Sequence, residues 1–371
     1  MQETGYVPLK IADPALLFAA LGKQPLVGMT PDEMADLLAG LGEPRFRARQ
    51  LFQWVYEKGV KDFAAMTNLP AKLREQLAER TILRLLEKEA EQHDRKTNTT
   101  KYLFRLHDGS KVESVLMRQS WGNSVCITTQ VGCRMGCTFC ASTVGGLVRN
   151  LTAGEIVDQI IMMQRELPEG QRISSVVLMG SGEPLENYDH VLKAIRLMHE
   201  PDGLNIGYRH ITVSTSGIVP GMRRLAEEGL PITLALSLHA PDNELRRQLM
   251  PVARIWSIEE VLAAARAYGE KTGRRVTYEY ILIDGVNDGP EHATALARLL
   301  KGSLAHVNLI PMNPVAERPQ YRRPSSERVS RFKQILESSG IATTVRREMG
   351  GEIDAACGQL RNRVLRRQMR R

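Results

Sequence analysis

Strand-like and helix-like patterns alternate along this chain from about residue 124 to residue 347, which limits its fold more than any other feature of the sequence. Short apolar runs typical of buried strands are each followed by apolar residues at helical spacing. Repeated β-α units of this kind build a parallel sheet with helices outside it. We predict an α/β fold, an incomplete (β/α)6 TIM-like barrel with its active residues at the carboxyl ends of the strands. Strands are predicted at 124–129, 176–179, 211–214, 232–238, 276–283, 307–310 and 343–347.

The region before this alternation has a helical pattern. Thr30, Pro31 and Glu33 form a capping box with proline at the first helical position. A basic edge that includes Arg45 and Arg47 suits a module that handles RNA, although an ordinary helical bundle fits as well. Two strands predicted at 101–106 and 111–117 then precede the core. The predicted organisation is an N-terminal helical domain (1–95), a β extension (96–118), a core (119–350) and a C-terminal segment (351–371).

Charge and hydropathy indicate the setting in which the protein works. No stretch of 18 apolar residues occurs, so we expect no membrane span. The first residues lack the basic start and apolar core of a secretory signal, and we expect a cytoplasmic protein. The net charge is +8, and the last eleven residues carry six arginines and no acid. Clustered arginine suits phosphate contacts, while a solvated helix end explains the same residues.

The chain has five cysteines: Cys126, Cys133, Cys137, Cys140 and Cys357. An odd number in a reducing compartment argues against a disulfide framework. Three of them form a C-x3-C-x2-C run, whose thiolates can hold three irons of a cubane cluster and leave the fourth iron open to a ligand. The alternative is a zinc site with Cys126 as fourth ligand, although its separation from Cys133 is wider than is usual between paired zinc ligands.

A glycine-rich turn follows the strand predicted at 176–179. Its sequence, Gly180-Ser181-Gly182-Glu183, allows close backbone approach to a ligand and supplies a carboxylate that can accept hydrogen bonds from an ammonium group. Polar residues also follow other predicted strands, where a shared pocket is expected. These residues are Ser214, Ser237, His239 and Asn313.

The cysteine run, with Phe139 before its last cysteine, and the G-x-G-E-P segment resemble the radical SAM superfamily, whose members use S-adenosylmethionine (SAM). Further motifs narrow the resemblance to the RlmN/Cfr family of RNA methyltransferases over about residues 28–360. Ser181 stands where methionine is common in that family. The motifs are GSGEPL, STSG, SLHAP, HVNLIP, DAACGQL and the six-residue spacing between Cys126 and Cys133.

The resemblance implies a radical SAM barrel with one [4Fe-4S] cluster and two molecules of SAM per turnover. Cys133, Cys137 and Cys140 would hold the cluster. The residues implied to bind SAM are Gly182, Glu183, Ser214, Ser237, Leu238, His239 and Asn313.

The implied reaction adds a methyl group to C2 of an adenine in 23S rRNA, near the peptidyl-transferase region, and in tRNA beside the anticodon. A ring carbon such as C2 has no lone pair to attack the methyl group of SAM, and a carbon radical is one solution. Cys357 would carry the methyl group, Cys126 would assist proton removal and then form a disulfide with Cys357, and Glu113 would accept a proton.

The resemblance also implies an electron donor such as flavodoxin and a monomer without membrane association. Two other functions stay open at this point. One is methylation at C8 of adenine, as in Cfr, and the other is a zinc-stabilised RNA-binding protein without catalysis.

Overall fold

The computed structural model describes Phe18, residues 22–346, Ile353 and residues 358–369, the last five of these without their side chains. Within those ranges, no helix combines the length and the apolar character needed to cross a membrane. The described strands are β1 (Gln24–Pro25), β2 (Thr81–Ile82), β3 (Leu86–Asp94), β4 (Thr99–Leu106), β5 (Lys111–Gln119), β6 (Gly122–Cys126), β7 (Gln130–Gly132), β8 (Leu147–Asn150), β9 (Ile173–Leu178), β10 (Ile211–Thr215), β11 (Thr233–Ser237), β12 (Val276–Leu282), β13 (Ala305–Pro311) and β14 (Ala342–Val345).

Helices alternate with these strands through the core, and three helices precede it. A π-helical turn (Gln53–Glu57) continues the second of them. The described helices are α1 (Pro31–Gly40), α2 (Arg47–Phe52), α3 (Ala71–Arg80), α4 (Ala153–Gln164), α5 (Tyr188–His199), α6 (Val219–Glu227), α7 (Asn243–Leu249), α8 (Ile258–Thr272), α9 (Pro290–Leu300), α10 (Ser326–Ser338) and α11 (Gln359–Met369).

The predicted fold class is confirmed. One ten-stranded sheet has the order β14-β13-β12-β11-β10-β9-β6-β5-β4-β3. From β6 to β14 neighbouring strands are parallel, whereas β3, β4 and β5 extend the sheet by antiparallel pairing. Among the described residues β3 and β14 form the two edges and do not pair with each other, so the barrel is open. Because the parallel strands share a direction, their carboxyl ends meet at one edge.

The helical interpretation of residues 1–95 is wrong at its end. Helix α3 stops at Arg80, and Leu86–Asp94 is strand β3, paired with β4. The sequence of β3, LEKEAEQHD, is rich in residues that favour helices. Pairing with a neighbouring strand outweighs that weak preference, and the edge position leaves most of the charged side chains in solvent.

A buried ion pair joins the N-terminal region to the core. The Arg84 guanidinium lies 2.8 Å from Asp158 on α4 and donates to the carbonyl oxygens of Val55 and Val60. The other carboxylate oxygen of Asp158 accepts from the backbone N–H of Leu85 at 2.7 Å. Asp158 is fully buried, and these donors, together with the backbone N–H of Leu86, compensate its charge.

Replacing Asp158 by alanine should lower the free energy of unfolding by about 3–5 kcal/mol, because it leaves the buried Arg84 without its counter-charge. Urea unfolding followed by circular dichroism measures the change. Glu337→Ala is the control, since it removes the exposed partner of Lys333 on α10 and should cost less than about 1 kcal/mol. Equal losses in the two variants would mean that the Arg84–Asp158 pair does not hold the N-terminal region in place.

Candidate functional site

The cysteine run lies on a loop between two short strands, β7 and β8, which pair with each other. The backbone N–H of Cys133 donates to the carbonyl of Gly146, and that of Thr138 donates to the carbonyl of Leu249, the last residue of α7. These bonds hold the loop against the carboxyl ends of the core strands, where it borders a cavity of about 180 Å³. The cavity lining includes Cys133, Cys137, Cys140, Gly180, Gly182, Glu183, Ser214, Ser216, Ser237 and His239.

In the protein alone, the thiols of Cys133 and Cys137 do not readily lose their protons. Burial raises the pKa of Cys133 and of Cys137, and the neighbouring cysteines raise both further. A positively charged metal centre would reverse this, because it stabilises thiolates directly. In the described part of the chain, no three His, Cys, Asp or Glu side chains converge as a single metal ion would require. Three thiols around one cavity fit a cluster, in which each iron takes its own cysteine.

Two glycines on the turn after β9 bring the backbone close to the neighbouring chain. A Cβ on Gly180 would lie 2.6 Å from the carbonyl oxygen of Ile127, and a Cβ on Gly182 would lie 2.7 Å from the Thr129 hydroxyl. Gly182 also has φ of +116°, which side chains rarely allow. The turn is therefore packed on the segment after β6, and its shape depends on both glycines.

Glu183 points its carboxylate into the protein at the end of this turn. One carboxylate oxygen accepts from the backbone N–H of Ser216 at 2.7 Å, and the other from that of Leu185 at 3.1 Å. Burial raises the pKa of Glu183, and the Ser216 N–H offsets part of that effect. The carboxylate has further lone pairs and borders the cavity, so it can accept hydrogen bonds from an ammonium group there.

His239 follows β11 and is neutral at pH 7. Burial lowers its pKa to about 3, with a smaller contribution from the charge of Arg246. Its Nδ1 accepts from the backbone N–H of Ile281 at 3.0 Å, which leaves the proton on Nε2. The ring packs edge-on against Phe139 of the cysteine loop. His239 thus offers a neutral donor at the cavity.

Arg246 on α7 lies fully buried behind the cavity and was not predicted from the sequence. Its guanidinium donates to the carbonyls of Ser216 at 2.7 Å and Leu238 at 3.2 Å. Burial lowers its pKa to about 10, and the negative charge of a Cys137 thiolate opposes that shift. Its Nη1 has no hydrogen-bond partner among the described residues. A buried cation that can stabilise a nearby thiolate therefore stands behind the cysteine loop.

The cavity residues fit a cluster and SAM. Three thiols can ligate iron, Glu183 can accept from an ammonium, and His239 can donate to a carboxylate or hydroxyl. The Ser216 hydroxyl is buried and borders the cavity, so it too can bind a ligand. Nothing in the side-chain pattern around Ser216 or Arg246 distinguishes them in the sequence, except that Ser216 lies in the STSG motif.

The remaining predicted site residues lie in different places. Leu238 packs in the hydrophobic core and does not line the cavity, and the side-chain oxygen of Asn313 accepts from Arg323. Glu113 and Cys126 are buried on neighbouring strands β5 and β6. Cys357 lies outside the described residues.

Comparison with known proteins places the chain among RNA methyltransferases. The family model described as the radical SAM superfamily matches residues 127–297, and that described as the ribosomal RNA large subunit methyltransferase N-terminal domain matches residues 24–83. A protein of Symbiobacterium thermophilum, named probable dual-specificity RNA methyltransferase RlmN, is 85% identical over 371 residues and 100% of both chains. One of the same name from Geobacillus kaustophilus is 54% identical over 337 residues, which cover 91% of this chain and 92% of the relative.

A solved structure agrees with these relatives. The crystal structure of a radical SAM methyltransferase from Sphaerobacter thermophilus superposes with a TM-score of 0.88 at 49% identity. The match covers 91% of this chain and 98% of that one.

Glu183→Gln should weaken SAM binding about tenfold or more, because it replaces a charged acceptor for the ammonium by a neutral amide. Equilibrium dialysis of labelled SAM with the cluster-loaded protein measures the affinity. In the unsubstituted protein the affinity should fall as pH drops through the raised pKa of Glu183, since protonation removes the acceptor. Glu227→Gln, an equal charge change at an exposed position on α6, should leave SAM binding unaltered. An unchanged affinity in Glu183→Gln would contradict the assigned contact.

Proposed function

Because this chain belongs to the RlmN family of dual-specificity radical SAM RNA methyltransferases, we propose that it methylates C2 of adenine in 23S rRNA and in tRNA. The chain is an enzyme that acts on RNA, and the alternative of a non-catalytic zinc-stabilised RNA-binding protein is wrong. The observation that carries the proposal is the cavity at the strand ends. It gathers three cysteines, a buried carboxylate and a neutral histidine around one volume.

The family uses an iron-sulfur cluster and SAM. We assign one [4Fe-4S] cluster to Cys133, Cys137 and Cys140, and two molecules of SAM to each turnover. When bound, these groups supply a transferable methyl group and a 5′-deoxyadenosyl radical. Glu183 would hold the amino group of SAM, and His239 would donate from Nε2. Ser214 and Ser237, which also line the cavity, would contact other polar groups of SAM.

Leu238 and Asn313 are the other two residues proposed to contact SAM. Only the backbone of Leu238 is suited to this, since its side chain is in the core. Asn313 is partly exposed, and its side-chain amide nitrogen would contact SAM while its oxygen accepts from Arg323.

Two further cysteines would handle the methyl carbon. Cys357 would carry the methyl group as a thioether. That methyl group would lose one hydrogen atom to the 5′-deoxyadenosyl radical, and the resulting methylene radical would add to C2 of adenine. The ring would then lose one electron, returned to the cluster, and the C2 proton, which Cys126 would help to remove. The thiolate of Cys126 would then attack the sulfur of Cys357. The sulfur–carbon bond would break with its electrons on carbon, which takes a proton, and the two sulfurs would be joined as a disulfide. Reduction of the disulfide would restore both thiols.

The position of Cys126 supports this role. It ends β6, the first parallel strand of the core, and pairs in register with Val115 of β5. Because side chains alternate across a strand, Glu113, two residues before Val115, points to the same face as Cys126. Gly358, the neighbour of Cys357 in the chain, donates its N–H to Glu113 at 2.8 Å. The C-terminal segment thus reaches the face on which Cys126 lies.

The proposal extends to partners. A low-potential electron donor such as flavodoxin would reduce the cluster, and the protein would work as a monomer.

The purified, cluster-loaded enzyme should convert adenosine to 2-methyladenosine in a 23S rRNA fragment and in tRNA. Nucleoside digestion followed by mass spectrometry against both methyl isomers measures the product. Formation of 8-methyladenosine would contradict the proposed regiochemistry while leaving the family assignment intact.

Cys126→Ala should trap the protein covalently on RNA, because the thiol that releases the carbon from Cys357 is missing. Cys357→Ala should yield neither adduct nor product, since no residue remains to carry the methyl group. Denaturing gels with labelled RNA detect the adduct. Free methylated RNA formed by Cys126→Ala at the normal rate would overturn the resolution step.

A further inference from the structure

Glu113 is fixed by contacts from a distant part of the chain. Its side chain is only 5% exposed in the centre of β5. One carboxylate oxygen accepts from the backbone N–H of Gly358 at 2.8 Å, and the other from that of Arg361 at 2.7 Å. The charged amine of Lys101, 1% exposed, lies 3.2 Å from the first of these oxygens. Both oxygens are therefore engaged by donors that belong to the protein.

These contacts make Glu113 the cap of helix α11. The backbone N–H of Asn362 donates to the carbonyl of Gly358, so the helix begins directly after Gly358. The first N–H groups of a helix lack partners within it and carry partial positive charge, which favours a carboxylate there. Caps usually come from the residue at the helix start. Here the cap comes from a strand 245 residues earlier.

The start of α11 also touches the turn that follows the cysteine run. The side-chain amide of Asn362 donates to the carbonyl of Ala141, the residue after Cys140, at 3.1 Å. Gly358 has φ of +85°, and a Cβ on it would lie 3.0 Å from the backbone nitrogen of Ser142. The chain therefore passes too close to this turn for a side chain at position 358.

We propose that Glu113 is a positioning residue that holds Gly358, the chain neighbour of Cys357, beside the cysteine loop, through the cap on α11. This inference rests on the proposed role of Cys357 as the methyl carrier. Gly358 follows Cys357 directly in the chain, and consecutive Cα atoms are about 3.8 Å apart. On the other side of the contact, Ala141 is the neighbour of Cys140. Gly358, next to Cys357 in the chain, therefore donates to Glu113, and Ala141, next to Cys140, accepts from Asn362.

A positioning role explains the contacts of Glu113 better than a role in proton transfer. To take a proton from RNA, the carboxylate would have to use the remaining lone pair of the oxygen that accepts from Arg361. Protonation there would weaken the acceptor that holds the beginning of α11. Lys101 adds to the same arrangement, since it compensates the charge of Glu113 inside the protein.

The test compares Glu113→Gln, Gly358→Ala and Asn362→Ala in the cluster-loaded enzyme. Gly358→Ala and Asn362→Ala keep the carboxylate, so a defect that they share with Glu113→Gln cannot come from loss of a base. Gly145→Ala is the matched control, because it lies near the same turn and a Cβ there meets nothing within 4 Å. Iron content and SAM binding in each variant show whether the core has folded.

Two measurements are expected to move together. Hydrogen–deuterium exchange of the peptide that contains Gly358 and Arg361 should speed up about tenfold in Glu113→Gln, because the N–H groups lose a carboxylate acceptor. Methylated RNA formed per 5′-deoxyadenosine should fall about tenfold or more in Glu113→Gln and Gly358→Ala, and by less in Asn362→Ala, without a covalent adduct. Gly145→Ala should match the unsubstituted enzyme.

Other results would overturn the inference. Glu113 would be a base if a covalent RNA adduct accumulated in Glu113→Gln while Gly358→Ala and Asn362→Ala formed the normal amount of methylated RNA per 5′-deoxyadenosine. An unchanged amount of methylated RNA per 5′-deoxyadenosine in all three variants would exclude a positioning role. Cys357→Ala, assayed in parallel, distinguishes failure of the positioning role of Glu113 from failure of the proposed carrier role of Cys357. If that variant still methylates RNA, the proposed carrier role fails, and the exchange data alone then decide whether Glu113 holds α11.

Discussion

The cavity depends on a buried cation, Arg246, that holds the ends of two strands. Its guanidinium donates to carbonyls that follow β10 and β11, so it fixes the backbone from which cavity-lining side chains project. In the described structure no carboxylate forms a salt bridge with it. A thiolate at Cys137, on the cysteine loop, would interact favourably with its charge. The same group therefore shapes the pocket and favours thiolates, which burial otherwise makes costly.

The site is assembled from parts that are far apart in the sequence. The β-α units supply the turn with Glu183 and the ends of β10 and β11, as expected for a barrel of parallel strands. The antiparallel strands β4 and β5 add Lys101 and Glu113, which lie outside the repeating units. Glu113 in turn caps helix α11, which is far from it in the sequence. The extension of the sheet thus connects the barrel to the segment proposed to carry the methyl group.

Close packing between backbones explains a glycine where the N-terminal region meets the barrel. Gly154, at the start of α4, leaves no room for a side chain because the carbonyl of Val27 would lie 2.2 Å from its Cβ. Arg84 and Asp158 clamp the neighbouring segment to the same helix. The N-terminal region is consequently held on the barrel by close backbone contact and by a buried ion pair.

The sequence by itself determined the local features. The spacing of apolar residues predicted the alternating strands and helices, and the predicted capping box that begins with Thr30 is present. The motifs predicted the family, which the comparisons confirm, and the cysteine run with Glu183 did come together at one cavity. These predictions succeeded because they depend on neighbours in the chain or on the shared direction of parallel strands.

Only the tertiary structure decided the rest. The strand at Leu86–Asp94 forms because β4 offers a partner, against the preference of its own residues. The burial of Arg246 and the cap that Glu113 places on α11 join residues separated by many turns of chain. Such hydrogen bonds and ion pairs form between groups that are buried together in the folded protein. A local pattern in the sequence does not show which groups these are.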